Sequence, residues 1–238
     1  AKAFARALQA LLIVFLFAGT LAAQKPAARA AKPPASPIKH VIMVSVDGLM
    51  PDSYVNPDAH GLKVPTLRQL VREGSYSEGV LGVMPTVTYP SHTSMVTGVN
   101  PGTHGIQSNR PFDPLLQLTG ALRWYTADIR VPTIYQVARK KGLKTALIYW
   151  PATVGAQADA IVQEFWRRDP LPEDAKLNYA ISTPGLLDAV AKHFPEFRAK
   201  FLPPRIEDEA GADIAVHVIE TMKPNLLMVH LLDVDHWT

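Results

Sequence analysis

The sequence has no cysteine among its 238 residues. The chain therefore forms no disulfide, binds no zinc through thiolates and uses no cysteine as a nucleophile. Metal binding and covalent chemistry by these 238 residues would therefore use side chains other than cysteine.

A hydrophobic run long enough to cross a membrane is also missing at the start of the chain. The apolar run at residues 11–17 follows Lys2 and Arg6 and is followed by small residues as far as Ala23. A membrane span needs about 20 apolar residues. We interpret residues 1–23 as a signal peptide, which predicts a periplasmic or secreted protein with no stable span after cleavage. An uncleaved N-terminal anchor is the alternative.

An excess of basic residues is absent from the body of the protein, although the formal net charge is +3. Six of the 24 Lys and Arg residues lie within residues 1–40, which contain no acidic residue, and this leaves 18 basic against 21 acidic residues. A body with a net charge of −3 does not predict a nucleic-acid-binding surface. Residues 24–38, rich in Ala, Pro and Lys, are interpreted as a linker.

From residue 39 onward, short apolar runs alternate with helical patterns. Strands are predicted at 41–46, 145–149 and 226–232, the first of them buried. Helices are predicted from Pro65 to before Gly74, from Pro132 to Gly142, from Thr183 to His193 and over 207–222. In the second helix Ile134, Val137 and Ala138 are expected to face inward, and in the third Thr183 is expected to cap a helix that opens with Pro184. The pattern predicts an α/β fold, a mostly parallel central sheet with helices on both faces.

Polar residues cluster where these elements end or begin. Asp47-Gly48 follows the first strand, and Asp233, Asp235 and His236 follow the last. Thr88 is expected just ahead of a helix that has Pro90 and Ser91 in its first turn. A helix N-terminus favours a phosphate group, and carboxylates suit a divalent cation. Each cluster alone is also explained by a turn, an ordinary helix start or a solvated loop.

Several of these motifs together resemble one enzyme family. They are Asp47-Gly48, Thr88-Tyr89-Pro90-Ser91-His92, Thr97-Gly98, His104-Gly105-Ile106 and Asn109. In this order they resemble the nucleotide pyrophosphatase/phosphodiesterase family of the alkaline phosphatase superfamily. The similarity extends from about Lys39 to Asn109 and returns more weakly at Trp150-Pro151 and Asp235. One departure is Ser91, where family members commonly have asparagine.

The resemblance implies a metal-dependent hydrolase of small-molecule phosphodiesters or pyrophosphates. It implies two divalent metal ions, with zinc the expected metal, bound in part by Asp47, Thr88 and Asp235. Thr88 is the implied nucleophile, which forms a phospho-threonine intermediate. Asn109, 21 positions after Thr88, is the implied contact to a phosphoryl oxygen. Asp233 competes with Asp235 for the late aspartate position.

The resemblance also implies that residues 39–238 are the N-terminal part of an alkaline-phosphatase-like catalytic domain that is truncated at its C-terminal end, since further metal ligands of the family would follow Thr238. Two alternatives stay open. A phosphomonoesterase of the same superfamily would use an arginine such as Arg110 to bind the extra phosphate charge. A catalytically incomplete, exported binding module is the other. The sequence does not indicate an oligomeric state.

Overall fold

A computed structural model describes residues 38–115, 117–118, 120–165, 171, 173–201 and 208–237, without the side chains of His236 and Trp237. The predicted signal peptide at residues 1–23 and all but the last residue of the predicted linker at 24–38 lie outside the described residues. No helix in the part of the chain that the structure describes is long and apolar enough to span a membrane.

Among the residues that the structure describes, four parallel strands form the central sheet, in the order β1-β4-β2-β3. Their bounds are Val41–Val46 for β1, Thr145–Ile148 for β2, Ala160–Val162 for β3 and Leu226–Leu231 for β4. The register pairs Val46 with Leu231 at the carboxyl ends of β1 and β4. Residues that follow these two strands are therefore neighbours at one edge of the sheet, where α/β proteins bind their ligands.

Ten α-helices are described between and after the strands. They are α1 (Asp52–Val55), α2 (Pro65–Glu73), α3 (Thr88–Thr97), α4 (Pro101–His104), α5 (Ile134–Lys140), α6 (Asp174–Ile181), α7 (Leu186–His193), α8 (Phe197–Lys200), α9 (Asp208–Met222) and α10 (Asp233–Trp237). Two short 3₁₀ turns lie at Pro57–His60 and Thr126–Asp128.

Helices cover both faces of the sheet, as the sequence predicts. On one face, buried side chains of α7, α8 and α9 pack against Ile148, Val162 and Val229. On the other face, Val96 of α3 and Tyr135 of α5 pack against Leu147 and Met228 with the buried ring of Trp150. The α3 face carries the candidate site, because α3 begins with Thr88.

Strand β1 has the predicted bounds, but the prediction that it is buried is wrong. Val41, Ile42 and Val44 are each about half exposed. Among the described residues β1 pairs only with β4, so it is an edge strand. An alternation-free apolar run is typical of a strand covered on both faces, and it cannot distinguish the centre of a sheet from its edge.

The helix predicted from Pro132 to Gly142 is shorter and faces a different way. It spans Ile134–Lys140, with Thr133 and Gln136 forming a reciprocal N-terminal capping box. Tyr135 is fully buried, whereas Ile134 and Val137 are 46% exposed. The prediction that these two residues face inward is therefore wrong. The large ring packs in the core, and its hydroxyl hydrogen-bonds with the Thr126 hydroxyl at 3.1 Å, so its polar end is satisfied.

This orientation gives a direct stability test. Tyr135→Ala removes a fully buried ring, and we expect it to lower the free energy of unfolding by about 3 kcal/mol. Ile134→Ala, the matched neighbour, is expected to lower it by less than about 1 kcal/mol because that side chain is half exposed. Urea unfolding followed by fluorescence measures both values. Equal losses in the two variants would contradict the described packing of α5.

The helix predicted from Thr183 begins at Leu186 instead, and Thr183 does not cap it. The Thr183 hydroxyl accepts a hydrogen bond from the backbone N–H of Ile161, at 2.8 Å. Gly185, with φ of +76°, is the residue that precedes the helix. A threonine-proline pair is typical of a helix start, but here the hydroxyl ties the loop to β3, a strand that the sequence did not predict.

Candidate active site

Asp47 is the first residue after β1. Its backbone N–H donates to the carbonyl of Leu231, at 2.8 Å, which continues the pairing of β1 with β4. Gly48 has a φ of +70°, and a Cβ at this position would lie 2.7 Å from Cα of Asp235. Any other residue at position 48 would collide with the backbone of α10. The glycine thus allows Asp235 to lie directly against the residue that follows Asp47.

Thr88 is the first residue of α3 and follows Val87, which is in extended conformation. The sequence placed Thr88 one residue outside the helix. Its hydroxyl donates a hydrogen bond to Oδ2 of Asp47, at 3.0 Å, across 41 positions of sequence. The half-buried Thr88 oxygen therefore stands at the positive end of a ten-residue helix, next to a carboxylate.

Asn109 is tied to the same helix start. Its Oδ1 accepts a hydrogen bond from the backbone N–H of Tyr89, at 2.9 Å. Because that carbonyl oxygen must be the acceptor, the amide nitrogen is the remaining polar group of the side chain. No other residue in the described ranges hydrogen-bonds to the Asn109 side chain. The structure thus brings the side chains of Thr88 and Asp47 together and ties Asn109 to the residue that follows Thr88.

The two candidate aspartates after β4 have different surroundings. Asp233 Oδ2 accepts the backbone N–H of Asp208 at 3.1 Å, and the Asp208 carboxylate accepts the N–H groups of Leu232 and Asp233. This reciprocal arrangement joins the start of α9 to the start of α10. Asp235 is exposed and lies beside Gly48. The side chain of His236 lies outside the described residues.

The donor chemistry at this edge of the sheet is two carboxylates and a hydroxyl. Over the described ranges, no three side chains of His, Asp or Glu are arranged to hold a metal ion. The Asp47 carboxylate and the Thr88 hydroxyl are in contact, and the backbone of Asp235 lies beside Gly48. Carboxylate and hydroxyl oxygens are donors that suit hard or borderline divalent cations. Asp47 keeps 21% of its side chain exposed, so its carboxylate is accessible.

Two buried histidines lie beneath the Thr88–Asp47 pair. Burial lowers the pKa of His92, and burial together with the neighbouring His92 lowers the pKa of His230 to about 2. His230 Nε2 lies 3.8 Å from Asp47 Oδ2, but a neutral ring makes no ion pair. Neither ring nitrogen of His230 has a hydrogen-bonding partner among the described residues.

His230 and its cross-strand neighbour Ser45 were not among the site residues predicted from the sequence. The register pairs Ser45 of β1 with His230 of β4, one position before each strand ends. A polar residue near the end of two otherwise apolar strands is the signal that could have indicated them. A single sequence does not reveal which strands are neighbours, so the two positions could not be matched in advance.

Tyr89 and His104, two other residues of the motif, are buried and make hydrogen bonds within the fold. Tyr89 is 1% exposed, and its hydroxyl donates to the buried carboxylate of Glu164. His104 is fully buried; its Nδ1 accepts the N–H of Ile106 and its Nε2 contacts the Ser94 hydroxyl at 3.0 Å. Both side chains are buried, and their hydrogen bonds connect α3 and the segment after α4 to neighbouring parts of the chain.

The sequence matches the model of one known protein family. The family described as type I phosphodiesterase / nucleotide pyrophosphatase matches residues 41–237. The chain belongs to this family. The match covers every strand of the sheet and all the candidate site residues, and it confirms the resemblance carried by the motifs around Asp47 and Thr88.

Curated members of this phosphodiesterase family share about 30% identity with part of the chain. Human ectonucleotide pyrophosphatase/phosphodiesterase family member 1 is 30% identical over 120 residues, which are 47% of this chain and 12% of that protein. Venom phosphodiesterase 2 of Crotalus adamanteus is 31% identical over 119 residues, 48% of this chain and 14% of that protein. The chain therefore matches only a small part of the length of these relatives.

A solved structure supports the fold of this family member. The phosphonoacetate hydrolase from Sinorhizobium meliloti 1021, in complex with phosphonoacetate, superposes with a TM-score of 0.56 at 20% identity. The superposition covers 84% of this chain and 48% of that chain. The predicted α/β, alkaline-phosphatase-like architecture is confirmed, and the chain spans about half the length of this neighbour.

Proposed function

We propose that the protein of which this chain forms part is an exported, metal-dependent hydrolase that cleaves phosphodiester or pyrophosphate bonds, with Thr88 as its nucleophile. The hydrogen bond from the Thr88 hydroxyl to Asp47, at 3.0 Å, carries the proposal. A threonine hydroxyl is a weak nucleophile unless a neighbouring group activates it. Family membership supports the reaction class.

Different residues of the chain carry the separate roles in this reaction. Thr88 Oγ1 forms a bond to phosphorus while the bond from phosphorus to the leaving oxygen breaks, and the hydroxyl proton leaves toward Asp47 Oδ2. The result is a phospho-threonine, which water then hydrolyses. The N-terminus of α3 faces the phosphoryl group with its positive dipole end. Asn109 donates from its amide nitrogen to a phosphoryl oxygen, where negative charge grows.

The metal part of the proposal rests on the oxygen donors at the sheet edge. Asp47 and Thr88 would hold one divalent cation, and Asp235 would contribute to a second, with zinc the expected metal. When bound, two such cations neutralise phosphoryl charge and lower the pKa of the attacking hydroxyl. Asp235 is preferred over Asp233 because Asp233 accepts the backbone N–H of Asp208, whereas Asp235 lies against Gly48.

Removal of the Asn109 amide gives a measurable loss. We expect Asn109→Ala to lower kcat about 100-fold, which corresponds to about 3 kcal/mol of transition-state stabilisation. Asn109→Asp should lose a similar amount, because a carboxylate keeps the acceptor for the Tyr89 N–H but has no donor for the phosphoryl oxygen. Steady-state turnover of bis-p-nitrophenyl phosphate by the full-length protein measures both variants. A wild-type kcat in Asn109→Asp would contradict the proposed hydrogen bond from Asn109 to the phosphoryl oxygen.

The substrate class is tested by comparing two chromogenic esters. A phosphodiesterase should turn over bis-p-nitrophenyl phosphate with a higher kcat/KM than p-nitrophenyl phosphate. The reverse preference would favour the phosphomonoesterase alternative, for which the exposed Arg110 is available as a second phosphate contact. Binding of either ester with no turnover in the full-length protein would favour the exported binding module.

A further inference from the structure

His92 makes two short hydrogen bonds that join α3 to β1. Its Nδ1 lies 2.7 Å from the carbonyl oxygen of Thr88. Its Nε2 lies 2.7 Å from the hydroxyl oxygen of Ser45. The side chain is 3% exposed. The imidazole therefore spans the space between the first residue of the helix and a strand residue two positions before Asp47.

The partners determine which ring nitrogen carries the proton. A backbone carbonyl can only accept, so Nδ1 of His92 must donate to Thr88. In the neutral ring Nε2 is then an acceptor, and the Ser45 hydroxyl must donate to it. The chain of donors runs from Ser45 through His92 to Thr88 without a conflict, and it requires the Nδ1–H tautomer.

Packing holds the ring of His92 in this orientation. The ring of Trp150 meets it edge to face at a centroid distance of 5.1 Å, and the ring of His230 does so at 4.3 Å. Trp150 follows Tyr149, whose φ of +54° is unusual for a residue with a side chain. Backbone strain of this kind persists where the surroundings impose it and is frequent near functional sites.

We propose that His92 is a positioning residue for Thr88. The Thr88 side chain is attached to Asp47 by one hydrogen bond, about which the residue could still pivot. The second attachment, from the Thr88 carbonyl through His92 to Ser45, ties the backbone of Thr88 to the strand that carries Asp47. With both ends tied to β1, the hydroxyl oxygen is held in one place. The inference rests on the proposed role of Thr88 as the nucleophile.

Three variants separate positioning from simple support of the fold. His92→Asn keeps an amide donor near the place of Nδ1 and loses the bond to Ser45. Ser45→Ala removes the same bond from the other side. His92→Ala removes both bonds. Since a displacement of about 1 Å can cost about 100-fold in rate, we expect kcat to fall about 100-fold in His92→Ala and about 10-fold in the other two. KM should change by less than about twofold.

The full-length protein is assayed with bis-p-nitrophenyl phosphate beside Thr88→Ala and a histidine control. His193→Asn is that control, because His193 is partly exposed on α7, on the opposite face of the sheet. If Thr88→Ala is inactive but His92→Ala keeps the wild-type kcat, the positioning role is wrong and the proposed function stands. If Thr88→Ala is fully active, the proposed function is wrong, and the positioning role falls with it.

A measurement that needs no turnover tests the hydrogen bonds themselves. In protein with ¹⁵N-labelled histidine, His92 should show a protonated Nδ1 and an unprotonated Nε2. Ser45→Ala should shift the Nε2 resonance, because it loses its hydrogen-bond donor, while Nδ1 stays protonated. Protonation of His92 at Nε2 in the wild type would overturn the inference.

Discussion

We expect Thr88→Ala to lower the turnover of bis-p-nitrophenyl phosphate by at least about 10³-fold, because the variant has no hydroxyl oxygen that can bond to phosphorus. The bound metal should be largely unchanged, since Asp47 and Asp235 keep their carboxylates. Turnover is measured with the full-length protein at saturating substrate, and zinc content by elemental analysis of the same sample.

Thr88→Ser is the matched control for this result. Serine keeps the hydroxyl that donates to Asp47 and loses only the methyl group, so most of the activity should remain. Persistent wild-type rates in Thr88→Ala would remove Thr88 from the mechanism. Equal loss in the serine and alanine variants would show that the methyl group, and not the hydroxyl, is required.

Asp47→Asn is expected to have the second largest effect. The asparagine has no negative charge for a cation, and its amide can present a donor where the Thr88 hydroxyl needs an acceptor. We expect turnover to fall about 100-fold or more at a fixed zinc concentration, because loss of metal-based charge stabilisation costs several kcal/mol. Turnover across a zinc titration should show a weaker apparent zinc affinity.

A surface aspartate provides the control for this charge change. Asp58 is bound by the Arg68 guanidinium on an exposed part of the chain, and Asp58→Asn changes charge by the same amount. It should leave turnover and zinc affinity unchanged. An Asp47→Asn variant with the zinc dependence of the wild type would show that Asp47 binds no catalytic cation.

The main elements of the fold are predictable from local pattern, whereas their neighbours in space are not. β1, α2 and β4 lie where the apolar runs and the proline and glycine signals predict them. The sequence did not predict β3, which has only three residues. It also placed the start of α7 too early, because Thr183 bonds to β3 and not to its own helix. Which face of α5 is buried depends on partners from elsewhere in the chain, and local periodicity does not contain them.

The residues of the candidate site are likewise predictable from local motifs, whereas their contacts are not. Asp47, Thr88 and Asn109 are recognisable because the motif has specific residues at specific spacings. The separate surroundings of Asp233 and Asp235 depend on contacts with Asp208 and Gly48, far away in sequence. The buried pair of His92 and His230 depends on strand order. A single sequence ranks Asp233 and Asp235 only by their spacing from the strand. It does not reveal that His92 and His230 are in contact.

The most direct test of the central claim is a crystal structure of the full-length protein with zinc and orthovanadate. Vanadate adopts the five-coordinate geometry of phosphoryl transfer and binds as a transition-state analogue. We predict a bond from vanadium to Thr88 Oγ1 and a hydrogen bond from Asn109 Nδ2 to a vanadate oxygen. Vanadate bonded to a different side chain, with Thr88 Oγ1 outside bonding distance, would contradict the proposal that Thr88 is the nucleophile.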